Sequence, residues 1–287
     1  MKKLSAVLVA GLFALGACGD DEAPVAGEQP AADAPERIVS MSPSATETLF
    51  AIGAGDQVVA VDAQSDFPEG VPTTDLSAYE PNVEAIAAYD PDLVVMAEDP
   101  ELEESLEALD IEVLVSPAPV ELEDVYTEMA RVGEASGHPE EAAELADEVR
   151  AEVEEIAANA EDRDPLTAYW ELDPTYYSVT SATFIGKLMD LVGITSIADE
   201  AQSDVPDYPQ LSPEHIVQSD PHLIVLADTE CCEQDATTLA ARPGWEGMRA
   251  ITQGNVVEMS DDIASRWGPR IVDLLRQLDE AAAAVAA

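Results

Sequence analysis

The residues best suited to holding a ligand are a few aromatics and one arginine. Only 5% of the chain is aromatic. Yet Tyr79, Tyr176, Tyr177, Tyr208 and Trp267 fall in segments that read as loops after strands, where open α/β sheets bind their ligands. Flat rings with a polar edge grip a large, mostly apolar ligand by stacking, and leave hydroxyls to reach its periphery. Burial in the core is the competing reading for each ring. Trp170 and Phe184, inside a strand-like and a helix-like run, are assigned to the core. Arg266 precedes Trp267-Gly268-Pro269, and in so acidic a chain it faces either an anionic group of a ligand or a carboxylate at Asp261 or Asp262.

Catalytic chemistry has no such constellation. There is no nucleophile elbow, zinc motif, phosphate loop or dinucleotide fingerprint. His138, His215 and His222 are scattered, and the acid pairs Glu103-Glu104 and Asp261-Asp262 are expected by composition alone. No metal site and no resident cofactor is expected. Cys231 and Cys232 are adjacent; a strained vicinal disulfide, two free thiols and an intermolecular bond are the alternatives.

A repeat supplies the elements that would position these residues. Asn82–Val95, NVEAIAAYDPDLVV, returns as Ser212–Val225, SPEHIVQSDPHLIV, with six of fourteen positions identical. In each copy a polar N-cap (Asn82, Ser212) precedes a first-turn glutamate (Glu84, Glu214), and Asp-Pro ends the helix before an apolar strand. A weaker echo, Ser44-Ala45-Thr46 against Ser181-Ala182-Thr183, keeps the same order and argues for duplication of a whole lobe rather than a solenoid. Ser44 with Glu47 reads as a capping box opening the first helix. Strands alternating with helices predict an α/β protein of two Rossmann-like lobes with parallel sheets. One long acidic connector helix, broken only around 133–139, would join them. The expected division is 37–117 for the first lobe, 118–160 for the connector and 161–287 for the second lobe.

The ends and the charge set the compartment. Residues 1–17 carry Lys2 and Lys3 and then an apolar run too short to span a bilayer, which reads as an export signal. Leu15-Gly16-Ala17-Cys18 resembles the bacterial lipobox, which implies cleavage before Cys18 and its acylation. Acyl chains hold a protein to a membrane without a spanning helix. Residues 18–36 are small, acidic and proline-containing and read as a disordered tether. With 12 basic against 60 acidic residues the net charge is −48, and signal removal makes it more negative still. Nucleic acid is excluded as a partner. Such acidity fits either a saline habitat or an acidic surface without habitat meaning.

Taken in order, RIVSMSPSATETLFAIGAGDQVVAV, NVEAI with DPDLVV, VPDYPQLSPEHIV and ASRWGPRI resemble the extracytoplasmic binding proteins for cobalamin and iron complexes, over Arg37 to about Leu278. The resemblance implies a monomeric lipoprotein outside the cell membrane that captures a metal-chelate ligand between its lobes and delivers it to an ABC permease dimer. It also implies that Glu84 and Glu214 dock to that permease. The chain departs from the cobalamin binders in offering Tyr79, Tyr176 and Tyr208 where they have bulky tryptophans. Cobalamin, an iron–siderophore complex and haem therefore stay open as ligands. A surface hydrolase and a structural envelope lipoprotein are the readings from other classes.

Overall fold

Each half of the molecule is built from four short strands, and the inner ones, IVSM and LVVM in the first half and LIVL in the second, read as apolar runs, the pattern of strands covered on both faces. The computed structural model describes residues 34–201 and 203–286. The signal at 1–17, Cys18 and most of the 18–36 tether lie outside the described residues. In the first lobe the order is β1 (Ile38–Met41), α1 (Pro43–Ala51), β2 (Val58–Val61), α2 (Val83–Ala87), β3 (Leu93–Met96), α3 (Pro100–Glu107) and β4 (Glu112–Val115). Two helices follow, α4 (Leu122–Ser136) and α5 (Pro139–Ala160). The second lobe runs β5 (Leu166–Glu171), α6 (Phe184–Leu191), β6 (Ile194–Ser196), α7 (Pro213–Ser219), β7 (Leu223–Leu226), α8 (Ala236–Ala240), α9 (Arg249–Gln253), β8 (Val256–Glu258), α10 (Asp261–Ser265) and α11 (Ile271–Ala286).

The two sheets are separate, all parallel, and ordered β2-β1-β3-β4 and β6-β5-β7-β8. This is one topology used twice. In both, the strand order reverses beside the first strand, which opens a crevice at the carboxyl edge. The repeat is legible at atomic detail. Asn82 Oδ1 accepts the Ala85 N–H at 2.9 Å and Ser212 Oγ accepts the His215 N–H at 3.1 Å. Asp90 (φ 51°) and Asp220 (φ 42°) both take the left-handed conformation that lets the chain leave each helix.

The helical stretch expected to be one connector is two helices packed on each other, parted at Gly137 (φ 81°) and His138. Their contact is close because Gly133 has no side chain; a Cβ there would lie 2.2 Å from the Cβ of Ala142. The pair belongs to both lobes. Val132 and Ala142 join the first lobe's core, while Val125, Tyr126, Met129, Val149 and Val153 join the second's.

The capping box expected at Ser44 and Glu47 does not form. Pro43 occupies the first helical turn, so the helix starts earlier and Ser42 is its cap. Ser44 and Glu47 are thereby released to face the other lobe. The three histidines serve local structure: His138 is the N-cap residue of α5, His215 Nε2 lies 2.9 Å from the Ile197 carbonyl, and His222 Nδ1 accepts from the Thr167 N–H.

Candidate functional site

The carboxyl ends of β1, β3 and β4 release the chain at Ser42, Ala97 and Ser116, and Trp267 descends on them from the second lobe. Between them lies a pocket of about 150 Å³, lined also by Asp124, Val125 and Glu128 of α4. Ligand pockets for whole small molecules run to roughly 300–1,000 Å³. The pocket as it stands therefore has room for a fragment of such a molecule. The Trp267 N–H donates to Ser44 Oγ at 2.9 Å, and its ring meets Phe184 edge-on at 5.2 Å. The backbone comes this close because residue 268 is glycine; a Cβ there would lie 2.9 Å from the Ser44 carbonyl oxygen.

Arg266, expected as a cation open to an anionic ligand, is instead 6% exposed and fully engaged. It donates to Asp66 Oδ1 at 2.8 Å and to the Gln64 carbonyl at 2.6 Å, and pairs with Asp262 one turn back in α10. The alternative of pairing with Asp262 is the one that the structure adopts. Beside it Arg270 donates to Glu47 Oε1 at 2.5 Å and lies over the Phe67 ring. Burial raises the Glu47 pKa, and the hydrogen bond from Arg270 opposes that rise. An ion cluster of three arginine-bonded carboxylates thus clamps α1 and its neighbouring loop to the loop before α11.

The tyrosines form a different group. Tyr176, held at φ 71°, packs on Trp245 at 6.0 Å with the Arg242 guanidinium 5.3 Å from its ring. Tyr177 pairs with Gln210, and Ser178 N–H donates to the Pro209 carbonyl, so the loop after β5 lies against the segment carrying Tyr208. Tyr177 and Tyr208 are exposed, while Tyr79 stands 85% exposed on the first lobe. The structure therefore joins Arg266 and Trp267 to the first lobe, joins Tyr176 and Tyr177 to the Tyr208 segment, and leaves Tyr79 apart. Glu84 and Glu214 are exposed in the first turns of α2 and α7.

Several functional-looking groups were missed by the sequence reading. Glu171 closes β5 with no exposure and receives both Nη atoms of Arg242 at 2.6 Å. Asp228 sits beside it, buried, with no donor to either oxygen among the described residues. Burial first, and the Glu171 charge second, raise its pKa. A signal for this cluster existed: a glutamate ending the run LTAYWE is out of place in a buried strand. Ser42, Ser116 and Glu128 carried no signal, since nothing in the sequence marks which helix passes over the pocket. Cys231 and Cys232 lie side by side with no bond between them in this structure. Bridging adjacent residues closes a small strained ring, and here the Cys231 N–H is instead fixed by Asp261 at 2.8 Å.

Comparison with known proteins agrees with this geometry. Residues 38–263 match the family described as periplasmic binding protein. The ABC transporter substrate-binding lipoprotein YvrC of Bacillus subtilis (strain 168) is 27% identical over 258 residues, covering 86% of this chain and 79% of that one. The vitamin B12-binding protein of Yersinia pestis (strain Pestoides F) is 28% identical over 261 residues, covering 88% and 89%. Among solved structures, the periplasmic heme-binding protein RhuT from Roseiflexus sp. RS-1 in apo form superposes with a TM-score of 0.75 at 23% identity, covering 86% of this chain and 99% of that one. The last of these speaks for the fold alone.

Proposed function

The chain belongs to the periplasmic binding protein family, and on that premise we propose that it is the substrate-binding component of an ABC importer, taking up a metal chelate of the cobalamin, haem or iron–siderophore kind. Its cargo sits between the lobes, at the carboxyl edges of the two sheets, and is handed to a permease dimer. The observation that carries this reading is the inter-lobe pocket, where Trp267 of one lobe closes over Ser42, Ser44 and Ser116 of the other. Residues 37–117 and 161–287 are the lobes in this reading, with 118–160 bridging them.

The protein binds its cargo without turning it over. It acts as a monomer outside the cytoplasm, held to the membrane through acylated Cys18 and the 18–36 tether. No helix among the described residues is long and apolar enough to cross a membrane. Glu84 and Glu214, exposed at matching places of the repeat, offer one carboxylate per lobe to the permease.

Native mass spectrometry of the protein from its own membranes tests the cargo. The expected result is a mass increment matching a metal chelate. A protein that carries none and binds neither cyanocobalamin, haem nor a ferric siderophore on addition overturns the reading. Substituting Glu84→Ala with Glu214→Ala is expected to abolish uptake by cells while leaving chelate affinity unchanged; weakened binding would place these residues at the cargo instead.

A further inference from the structure

We infer that the cargo is a neutral or cationic chelate and that the cleft discriminates against anionic ones, a conclusion that rests on the chelate reading above. The ground is an inventory of positive charge. Around the inter-lobe edge, Arg266 is bonded to Asp66 and Asp262, Arg270 to Glu47, Arg242 to Glu171, Arg131 to Glu128, and Lys187 to Glu121. The remaining arginines with carboxylate partners, Arg150, Arg163, Arg249 and Arg276, are paired likewise. Arg37 donates to the carbonyls of Tyr89 and Asp90, at the opposite edge of the first sheet. Every basic side chain among the described residues already has its partner.

An anionic ligand would have to break one of these pairs. Arg242 and Arg270 are badly placed for it, because both are largely buried and each would leave a buried carboxylate, Glu171 or Glu47, unpaired. The pocket offers the opposite charge. Glu128 lines it, and its Oε1 is buried with no hydrogen-bond partner among the described residues. Asp124 lines it as well and is kept ionised by the N–H groups of Val120 and Glu121 at 2.9 and 2.8 Å. Ser42, Ser44 and Ser116 add hydroxyls and Trp267 an indole, beside the apolar Ala97, Pro117, Ala118, Pro119 and Val125, which suits a mostly apolar group that carries a donor or a positive charge. At a net charge of −48 the whole surface also repels anions and draws cations in.

The chemistry separates the candidates. A ferric tris-hydroxamate core is neutral, and an amine on its chain makes it cationic. Cyanocobalamin is neutral. Haem, with two propionates, and a ferric tris-catecholate are anionic.

Isothermal titration of the mature protein with one ferric tris-hydroxamate in three forms, its free amine, its N-acetyl form and its N-succinyl form, isolates charge from shape. Cyanocobalamin and its monocarboxylate hydrolysis product give the same contrast on a corrinoid. The expected result, in whichever class binds, is that the anionic form binds at least about tenfold more weakly than its neutral or cationic counterpart. Equal or tighter binding of the anionic form overturns the charge inference and leaves the chelate reading standing. Binding of haem but of no form of either class overturns the charge inference alone; binding of none of them, haem included, overturns the chelate reading and this inference with it. Glu128→Gln, which removes a pocket carboxylate and frees Arg131, is expected to narrow the ranking; an unchanged ranking would deny Glu128 its part.

Discussion

The two lobes share a topology and a register but not an interior. Met41 pairs with Met96 at the carboxyl end of the first sheet, and the equivalent positions of the second are Glu171 and Leu226. One lobe therefore places a methionine where the other places a buried, arginine-bound carboxylate. The connections diverge too. After β1 the chain enters α1 almost at once, so the first lobe presents a helix start with Ser42, Ser44 and Glu47. After β5 it runs through residues 172–183 before α6, and that longer loop carries Tyr176 and Tyr177. Duplication fixes where the edges are. What each edge offers is set by short departures from the repeat: hydroxyls and a carboxylate from one lobe, rings and arginine–carboxylate pairs from the other.

The largest expected effect breaks this asymmetry at its core. Arg242→Met leaves Glu171 and Asp228 buried without a counter-ion and should cost about 3–5 kcal/mol in urea denaturation. The double change Glu171→Met with Arg242→Met, which copies the residue at Met41, should recover most of that loss. A double variant as unstable as the single one would show that charge is not what the second lobe's interior is built around.

The same cluster sets a pH dependence. Asp228 faces Glu171, Arg242, Asp261 and Tyr169, and its carboxyl is raised above the ordinary 3.8. The folded state then holds a proton that the unfolded chain releases. Stability contributed by this group is complete below the ordinary carboxylate pKa, falls as pH rises through the interval up to the raised one, and is level above it. Burial pushes Glu47 and Asp262 the same way. Melting temperatures across pH 4–8 check this: Asp228→Asn should flatten the decline and raise stability at neutral pH relative to wild type.

Between the lobes, Glu47→Gln keeps a weaker acceptor for Arg270 but removes its charge, with an expected loss of about 1.5–3 kcal/mol. Small-angle scattering should also show a larger radius for this variant, as the clamp loosens. The smallest effects test the symmetric part. Asn82→Ala and Ser212→Ala each remove one N-cap and should cost about 1 kcal/mol by urea denaturation. Unequal losses would mean that the repeat no longer does the same work in both lobes.

Much of the fold was readable because short-range rules govern it. The caps at Asn82 and Ser212, the Asp-Pro stops and the apolar strands are local features, and the repeat itself announced two lobes. The break at Gly137 was visible in composition, but its outcome, two helices folded on one another, depends on Gly133 meeting Ala142. The site was less legible. Trp267 is a candidate by its place in a rim loop, and the structure puts it at the inter-lobe pocket, whereas for Arg266 the sequence offers a ligand anion or Asp261 or Asp262 and gives no hint of Asp66, 200 residues away, which also meets it. Ser44 and Glu47 look like a capping box in sequence; only the earlier helix start at Pro43 shows why they face the other lobe. Residues that act across the cleft are paired by tertiary structure, and no local pattern records that pairing.

The seat of the cargo at Trp267 is tested most directly by fluorescence. Trp170 and Trp245 are fully buried, so Trp267 is the indole placed to report on the cleft. Titration of wild type with cyanocobalamin and with a ferric tris-hydroxamate, corrected for absorbance, should give saturable quenching for the chelate that binds. Trp267→Phe should lose most of it while the buried indoles keep their emission. Quenching that survives undiminished in Trp267→Phe, or binding by calorimetry with no change in wild-type emission, would contradict a ligand held between the lobes at this residue.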